Sequence, residues 1–234
     1  MNKGSIVIFV LFIFISSKSV SQSFNQGDII LNGNIGAPHL FKGIIKLATK
    51  SQAFKENFDG VLEISEIKGM NPIAVKTEYG FTKFFGLGTS YSYWNINFNV
   101  TDFYNLQNQN IGNILTDSVD VYKIKISSSS FGIRPNLHLP LKSRKNDFYI
   151  GCGLGLTKNK LTINFSSTDA GRLAKKFGKD LEYDLSLPGG IYFAPSMGYR
   201  FYPAPFIALN FEVGYEKGAI FQVGLVLRFN TGKK

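Results

Sequence analysis

Seven charged side chains occur inside otherwise apolar stretches of this 234-residue chain. Each lies in a run where apolar and polar residues alternate, so the charges share one face of an extended segment with glycine and amide residues. Buried charges are stable only when they are paired, and bases and acids are nearly balanced here, so we expect an ionic network. The alternative chemistry is passage of protons or ions through a narrow channel. The seven residues are Lys76, Glu78, Arg134, Arg200, Glu212, Glu216 and Arg228.

The two histidines are the next candidates for chemistry. Nucleophilic catalysis requires a base beside a serine or cysteine. His39 follows the first apolar run and could serve a lipid-modifying acyltransferase or deacylase, but no serine and carboxylate lie at a spacing that fixes such a set. His138 shares a face with the charged residues and is expected to be a hydrogen-bonded core residue. We therefore expect no enzyme, with a lipid-modifying enzyme as an alternative.

Neither metal nor cofactor chemistry is indicated. The sequence has no His-x-His, no cysteine pair and no acidic calcium loop. The one cysteine, Cys152, cannot form an internal disulfide, and its alternating run places it on the apolar face as a small hydrophobe. We expect no metal site and no cofactor.

Two-residue periodicity dominates the chain and predicts eight strands. In the last run Phe221, Val223 and Leu225 alternate with Gln222 and Gly224, so one face is apolar and the other is polar. A soluble sandwich would also alternate, with its apolar face turned inward. The predicted strands cover residues 29–36, 73–80, 85–95, 131–139, 148–157, 191–201, 207–216 and 221–229.

The connectors between these strands separate into two classes. Those at 81–84, 140–147 and 202–205 are short, whereas those at 37–72, 96–130 and 158–190 are long, and a tight hairpin spans 216–219. Transmembrane barrels have short periplasmic turns and long outer loops. A soluble sandwich has no reason to sort its loops this way. The pattern favours an all-β, eight-stranded antiparallel up-and-down transmembrane barrel with both termini in the periplasm.

The N-terminus indicates export. Lys3 precedes an apolar core of ten residues, Ile6–Ile15, which is too short to cross a bilayer as a helix. We interpret residues 1–22 as a removable signal peptide and residues 23–234 as a single barrel domain. The net charge of +10 is spread along the chain and the protein leaves the cytoplasm, so no nucleic-acid partner is expected.

Short helices are predicted in two of the long loops. Residues 40–50 place Lys42, Lys46 and Lys50 in one stripe beside an apolar face, which would contact phosphorylated lipid headgroups or a protein partner, or cap the barrel mouth. The segment 169–177 has a second amphipathic pattern that begins at Asp169. The amide-rich stretch 105–110 in the remaining long loop is typical of a solvated or partner-ordered segment.

The C-terminal strand carries a recognisable assembly pattern. Gln222, Gly224, Leu227 and Phe229 match a signal of a polar residue, a glycine and two spaced hydrophobic residues that end in an aromatic. The mature chain resembles small outer-membrane β-barrels, both the OmpA/OmpX-like eight-stranded barrels and the PorT-like barrels of Bacteroidota. The resemblance implies location in the bacterial outer membrane, contact with its lipids including lipopolysaccharide, and insertion by the barrel assembly machinery. Five residues follow Phe229, whereas the aromatic often ends such chains.

An eight-stranded barrel is just wide enough for side chains to fill it, so an open pore is not expected. Loops then become the main route to function. We expect a non-enzymatic membrane protein that serves as a structural or accessory subunit of a larger envelope complex, with another envelope protein as its partner. The alternatives are the lipid-modifying enzyme and the narrow channel.

Overall fold

The computed structural model describes residues 24–51, 62–104, 118–141, 143–167, 182–216 and 218–230. Their strands form one closed antiparallel barrel in which each strand pairs with the next and the last pairs with the first. The predicted eight-stranded up-and-down fold is confirmed. The strands are β1 (Asp28–Ala37), β2 (Leu62–Gly80), β3 (Phe85–Tyr104), β4 (Ser118–His138), β5 (Asn146–Ser167), β6 (Glu182–Ala204), β7 (Ile207–Glu216) and β8 (Ala219–Asn230).

The barrel is apolar outside and polar inside. Large apolar side chains such as Phe131 and Val223 are more than half exposed on its outer surface, whereas Arg134, Asn210 and Glu212 are almost completely buried within it. A soluble β-sandwich has the opposite arrangement, with apolar side chains in the core. In the part of the barrel that contains these residues, the apolar side chains of the alternating pattern point outward, as transmembrane barrels require.

Five strands are longer than the alternation predicted. β2 to β6 have 19 to 23 residues, whereas β1, β7 and β8 have 10, 10 and 12. The predictions that residues 37–72, 96–130 and 158–190 are loops throughout were wrong, because paired strand extends far into each segment. In these extensions the apolar members of the alternation lie on the inward face, where Ile96 pairs with Ile126 and Ile126 pairs with Leu161. The outward positions carry polar residues such as Lys123 and Lys125, so the apolar-outward pattern ends before the strands do.

The barrel has two unlike ends. The short connectors at 81–84, 139–145 and 205–206 lie at one end, together with Asp28 and Asn230, which pair in the first and last strands. We call this the turn end. At the opposite end, which we call the loop end, β1, β3 and β5 finish, β2, β4 and β6 begin, and Glu216 pairs with Ala219 at a tight turn. The extended parts of β2 to β6 make a high wall there, beside the low β7–β8 hairpin.

One helix, α1 (Leu40–Lys50), follows β1 at the loop end, as predicted. His39 accepts a hydrogen bond from the Lys42 backbone N–H at its start, and Ser51 closes its last turn onto the Ala48 carbonyl. The helices of the described residues include none long and apolar enough to cross a membrane. The predicted signal peptide at 1–22, the amide-rich stretch 105–110 and the second predicted helix at 169–177 lie outside the described residues.

Candidate functional site

The barrel interior contains a closed ring of alternating charges nearer the loop end. Lys76 Nζ lies 2.9 Å from Glu212 Oε1 and 2.5 Å from Glu216 Oε2. Arg134 contacts the same two carboxylates, at 2.6 Å and 3.1 Å. Each cation therefore touches both anions, and the formal charges cancel. We call these four residues the upper ring.

Neutral side chains complete the hydrogen bonding of the upper ring. The Lys76 ammonium also donates to Gln222 Oε1 at 2.9 Å, so all three of its N–H groups have acceptors. Arg134 donates to the Ser196 hydroxyl, and the amide of Gln222 donates to Glu216 at 3.1 Å. A buried charge pair is stable only when such additional bonds satisfy its remaining donors and acceptors.

A second ring lies nearer the turn end and has the same alternating order. Arg200 lies 2.7 Å from Glu78 Oε2 and 3.2 Å from Asp147 Oδ2. His138 bridges the same carboxylates, with Nε2 2.6 Å from Glu78 and Nδ1 2.8 Å from Asp147. We call these four residues the lower ring.

His138 completes the charge balance of the lower ring. Carboxylates accept hydrogen bonds, so both ring nitrogens donate and the imidazole carries a proton on each. As an imidazolium it balances, with Arg200, the two acids. The Phe24 ring stacks on it with centroids 3.5 Å apart and closes the barrel toward the turn end.

Tyr149 joins the two rings. Its hydroxyl lies 2.8 Å from Glu212 Oε2 in the upper ring, while Arg200 of the lower ring lies over its face, 4.2 Å from the centroid. A Cβ at Gly198 would collide with this aromatic ring, so glycine there leaves the space that Tyr149 occupies. Tyr149 thus links the two ion-pair rings into one continuous group of contacting side chains, which we call the plug.

The space left between the rings is very small. A cavity of about 10 Å³ is lined by residues of both rings and by Asn32. That is about the volume one water molecule needs, and the buried Asn32 amide has no hydrogen-bond partner among the described residues. Between the two rings, the side chains therefore leave space for about one water molecule.

Arg228 lies apart from both rings. It is at the turn end, where its guanidinium lies 4.0 Å from Asp28 Oδ2 and 4.4 Å over the Tyr202 ring. Its Nε donates to the Pro205 carbonyl at 2.8 Å. Six of the seven charges named from the sequence thus lie in the rings, and the seventh fastens β8 to the last short turn.

The sequence reasoning missed three contributors to the interior. Asp147 was assigned to a connector and Tyr149 was not singled out, whereas Gln222 was placed on the polar face but was not predicted to join the ionic network. The two-residue period was sufficient to find the first two, because Asp147 and Tyr149 precede the inward Gly151 at steps of two. Cross-barrel pairing of residues such as Lys76 and Glu216, 140 positions apart, has no signal in a single sequence.

An aromatic cluster closes the barrel mouth at the loop end. Phe41 of α1 stacks on Trp94 of β3 at 4.6 Å, and His39 meets the same indole edge-on at 5.4 Å. The Leu40 backbone N–H donates to the Gly218 carbonyl of the β7–β8 hairpin at 2.8 Å. We call His39, Phe41 and Trp94 the mouth cluster, and it ties α1 across the low side of the barrel.

Both ring nitrogens of His39 form hydrogen bonds within the protein. Nδ1 accepts the Lys42 backbone N–H at 3.4 Å, so Nε2 carries the proton and donates to the Asn95 carbonyl at 3.2 Å. Burial lowers the pKa of His39, Lys42 acts in the same direction and the Asn95 hydrogen bond opposes them. Neither nitrogen is available as a general base in this arrangement, so the residue gives no support to a lipid-modifying enzyme.

The apolar face of α1 points away from the barrel. Ile44 and Leu47 are 60% and 73% exposed, and no residue of the helix is fully buried. In the basic stripe of the helix, Lys42 is half-buried, whereas Lys46 and Lys50 are exposed. The first turn of the helix contacts the barrel, and the helix presents exposed Ile44 and Leu47 beside exposed Lys46 and Lys50.

The four assembly-pattern residues all lie in β8, next to the closing strand β1. Leu227 and Phe229 point outward, whereas Gln222 points inward to the upper ring. Gly224 pairs with Asn34 of β1, and a Cβ there would collide with the Asn34 side chain. Cys152 is half-buried between the inward Gly151 and Gly153. No group of three His, Cys, Asp or Glu residues in the described ranges is arranged to hold a metal.

Neither the scan against protein-family models nor the search of curated proteins gave a match. Solved bacterial outer-membrane proteins are similar in fold. They include the attachment invasion locus protein Ail of Yersinia pestis, at 16% identity and a TM-score of 0.35, over 87% of this chain and 99% of that one. The N-terminal barrel of Pseudomonas aeruginosa OprF matches at 10% and 0.39, over 88% and 99%. OprG of the same organism matches at 13% and 0.44, over 91% and 100%. The barrel assignment rests on the strand pairing itself.

Proposed function

We propose that this chain is an integral protein of the bacterial outer membrane, with its turn end and both termini in the periplasm. The inside-out arrangement of the barrel carries the proposal. An apolar outer surface surrounds an interior that is filled by balanced, hydrogen-bonded charges. Such a barrel is stable in a bilayer, where lipid covers the outer surface and strand closure leaves no unpaired edge.

Within the membrane, we propose a non-enzymatic structural or accessory subunit of a larger envelope complex. A plugged lumen does not move solutes, and His39 is engaged in structure. Activity is therefore assigned to the loop end, where β2 to β6 rise as a wall and α1 is displayed beside it. Exposed loops on a rigid scaffold are where proteins of many folds bind their partners.

The exposed face of α1 is the proposed contact for a partner envelope protein. Ile44 and Leu47 would fill an apolar groove of the partner, while Lys46 and Lys50 face acidic groups or lipid phosphates beside it. Helix-in-groove recognition uses apolar anchors at this spacing, with polar residues on the opposite side. The aromatic contacts of the helix's first turn fix the direction in which that face points.

The test is extraction of the native complex from outer membranes in a mild detergent, followed by mass spectrometry. We expect a stoichiometric protein partner that is lost in the Ile44→Asn, Leu47→Asn double variant. Each replaced side chain is exposed, so the barrel should remain intact and keep its heat-modifiable migration on gels. Lys83→Gln, in a turn at the opposite end, is the matched control and should retain the partner. Recovery of the wild-type protein alone, or with lipid only, would contradict the subunit role.

A further inference from the structure

A groove of about 550 Å³ crosses the outer surface of β3 to β6. Its lower edge is a lateral row of outward apolar side chains, Tyr91, Phe131, Leu156 and Ile191, which are neighbours in the strand register. They are 48% to 83% exposed. The groove has the volume of a small-molecule site and lies on the face that lipid is proposed to cover.

Small residues and a strand irregularity create this groove. In the next row toward the loop end, Ser129 pairs with Lys158, and Gly189 follows where the β5–β6 register shifts between Thr157 and Asn159. Ser129 and Gly189 leave a depression above the bulky row. Lys158 is exposed at its rim and has no ion-pair partner among the described residues.

The groove also marks the boundary of the apolar band. Above it the outward positions of β4 and β5 become polar, with exposed Lys123, Lys125, Lys158 and Lys160. One of these, Lys160, pairs with Asp184 at 2.7 Å. The surface therefore changes from bulky apolar to polar in the row that contains Lys158, and the other lysines lie in the rows beyond it. Lipid headgroups meet acyl chains at such a boundary.

We propose that this groove binds one phosphorylated lipid of the outer leaflet. The phosphate would contact Lys158, while an acyl chain lies against Phe131, Leu156 and Ile191. Charge complementarity selects an anionic headgroup, and the apolar row selects a lipid over a free anion. The inference rests on the proposed membrane location but adds a defined site and ligand class.

The experiment uses the full mature protein folded in a neutral detergent, with native mass spectrometry as the readout. The probes are bisphosphorylated lipid A, the same lipid with its phosphates removed, and inorganic phosphate as a competitor. We expect one retained lipid A per protein, little retention of the dephosphorylated form, and no displacement by millimolar phosphate. Lys158→Gln should weaken retention about fivefold, because one basic residue near a membrane surface contributes on the order of that factor.

Ser129→Leu should fill the groove and abolish retention, and Lys83→Gln in the opposite turn should leave it unchanged. Equal retention in all three variants, or indifference to lipid phosphates, would overturn the site. Displacement of the lipid by inorganic phosphate would mean that the groove binds a free anion, and it would overturn the lipid site as well. Heat-modifiable migration on gels separates the lipid-site proposal from the proposed membrane location. A folded, detergent-inserted barrel that does not bind lipid A selectively refutes the lipid site alone. A protein that fails to insert refutes the membrane location, and the groove with it.

Discussion

At the scale of single residues, the interior is governed by the need to pair buried charges. The upper and lower rings place each cation against two carboxylates, and neutral donors satisfy what remains. Removing one charged residue from such a ring greatly lowers the stability of the protein, because its former partners remain buried without a compensating charge. The rings therefore specify which strands face each other across the lumen.

Replacing Arg134 with Ala should destabilise the barrel strongly. Glu212 and Glu216 would each lose a cation in a dry interior, and loss of one member of a buried ion pair typically costs about 3–5 kcal/mol. Urea unfolding of the variant in detergent micelles measures the change. The control is Lys68→Gln, which removes an exposed pair with Glu66 and should change the free energy of unfolding by less than about 1 kcal/mol. Similar values for both variants would contradict the ring account.

The two histidines should differ in protonation at pH 7.5. His138 faces a carboxylate with each ring nitrogen and should be an imidazolium, whereas His39 accepts a backbone N–H and should be neutral. Nitrogen-15 NMR of the histidine-labelled protein distinguishes the two forms. His138→Gln identifies the signals. Two neutral rings would mean that the lower ring is not charge-balanced in this way.

Residue roles could be predicted from the sequence only in part. The two-residue period identified the inward charges, since the period alone assigns a face. It could not say which inward residues meet, because that depends on the stagger of eight strands. His39 shows a further limit: its position after the first strand suggested possible chemistry, yet its environment of Trp94, Asn95 and the start of α1 makes it a helix cap.

At the scale of elements, α1 is attached to the barrel through its first turn. That turn is held by the mouth cluster and by the hydrogen bond from Leu40 to Gly218. Its N-terminal cap depends on an unprotonated Nδ1 in His39. The docking of the helix should therefore respond to pH, and Trp94, the chain's only tryptophan, is positioned to report it.

Lowering the pH from 7.5 to 5 should shift the fluorescence of Trp94 to longer wavelength. The pKa of His39 is depressed in the folded protein, so its contribution is present above the ordinary value of about 6.5 and is lost as the pH falls. Protonation removes the cap acceptor, which typically contributes about 1 kcal/mol to a helix. His39→Asn keeps a cap acceptor without titrating and should abolish the pH response. An unchanged response in that variant would assign it to another group.

Strand count and the position of α1 were predictable because both depend on local periodicity. Strand length was not. Lys123–Ser130 pairs in register with its neighbours above the outer apolar band, and there the alternation changes face: Ile124 and Ile126 point inward, whereas Lys123 and Lys125 point outward. Apolar residues on the outward face therefore locate only the part of each strand that lipid covers.

At the scale of the whole molecule, the described residues form a closed, filled barrel whose two ends differ in height. The rings, Tyr149 and Phe24 fill the interior from the upper ring toward the turn end, and the mouth cluster closes the loop end beside the low hairpin. A filled barrel of this kind acts through its surfaces and does not transport solutes. That distinction separates a structural subunit from a narrow channel, and it can be measured directly.

The decisive measurement is conductance across planar bilayers that contain the refolded protein, with insertion verified by heat-modifiable migration. We predict an inserted protein with no discrete current steps, because the ion-pair rings and Tyr149 leave space for about one water between them. The Arg134→Ala, Glu212→Ala double variant removes one charge of each sign from the upper ring. Its conductance shows whether the assay detects a barrel whose interior has been loosened. Regular open steps in the wild-type protein, altered by that variant, would contradict the sealed barrel and establish a channel.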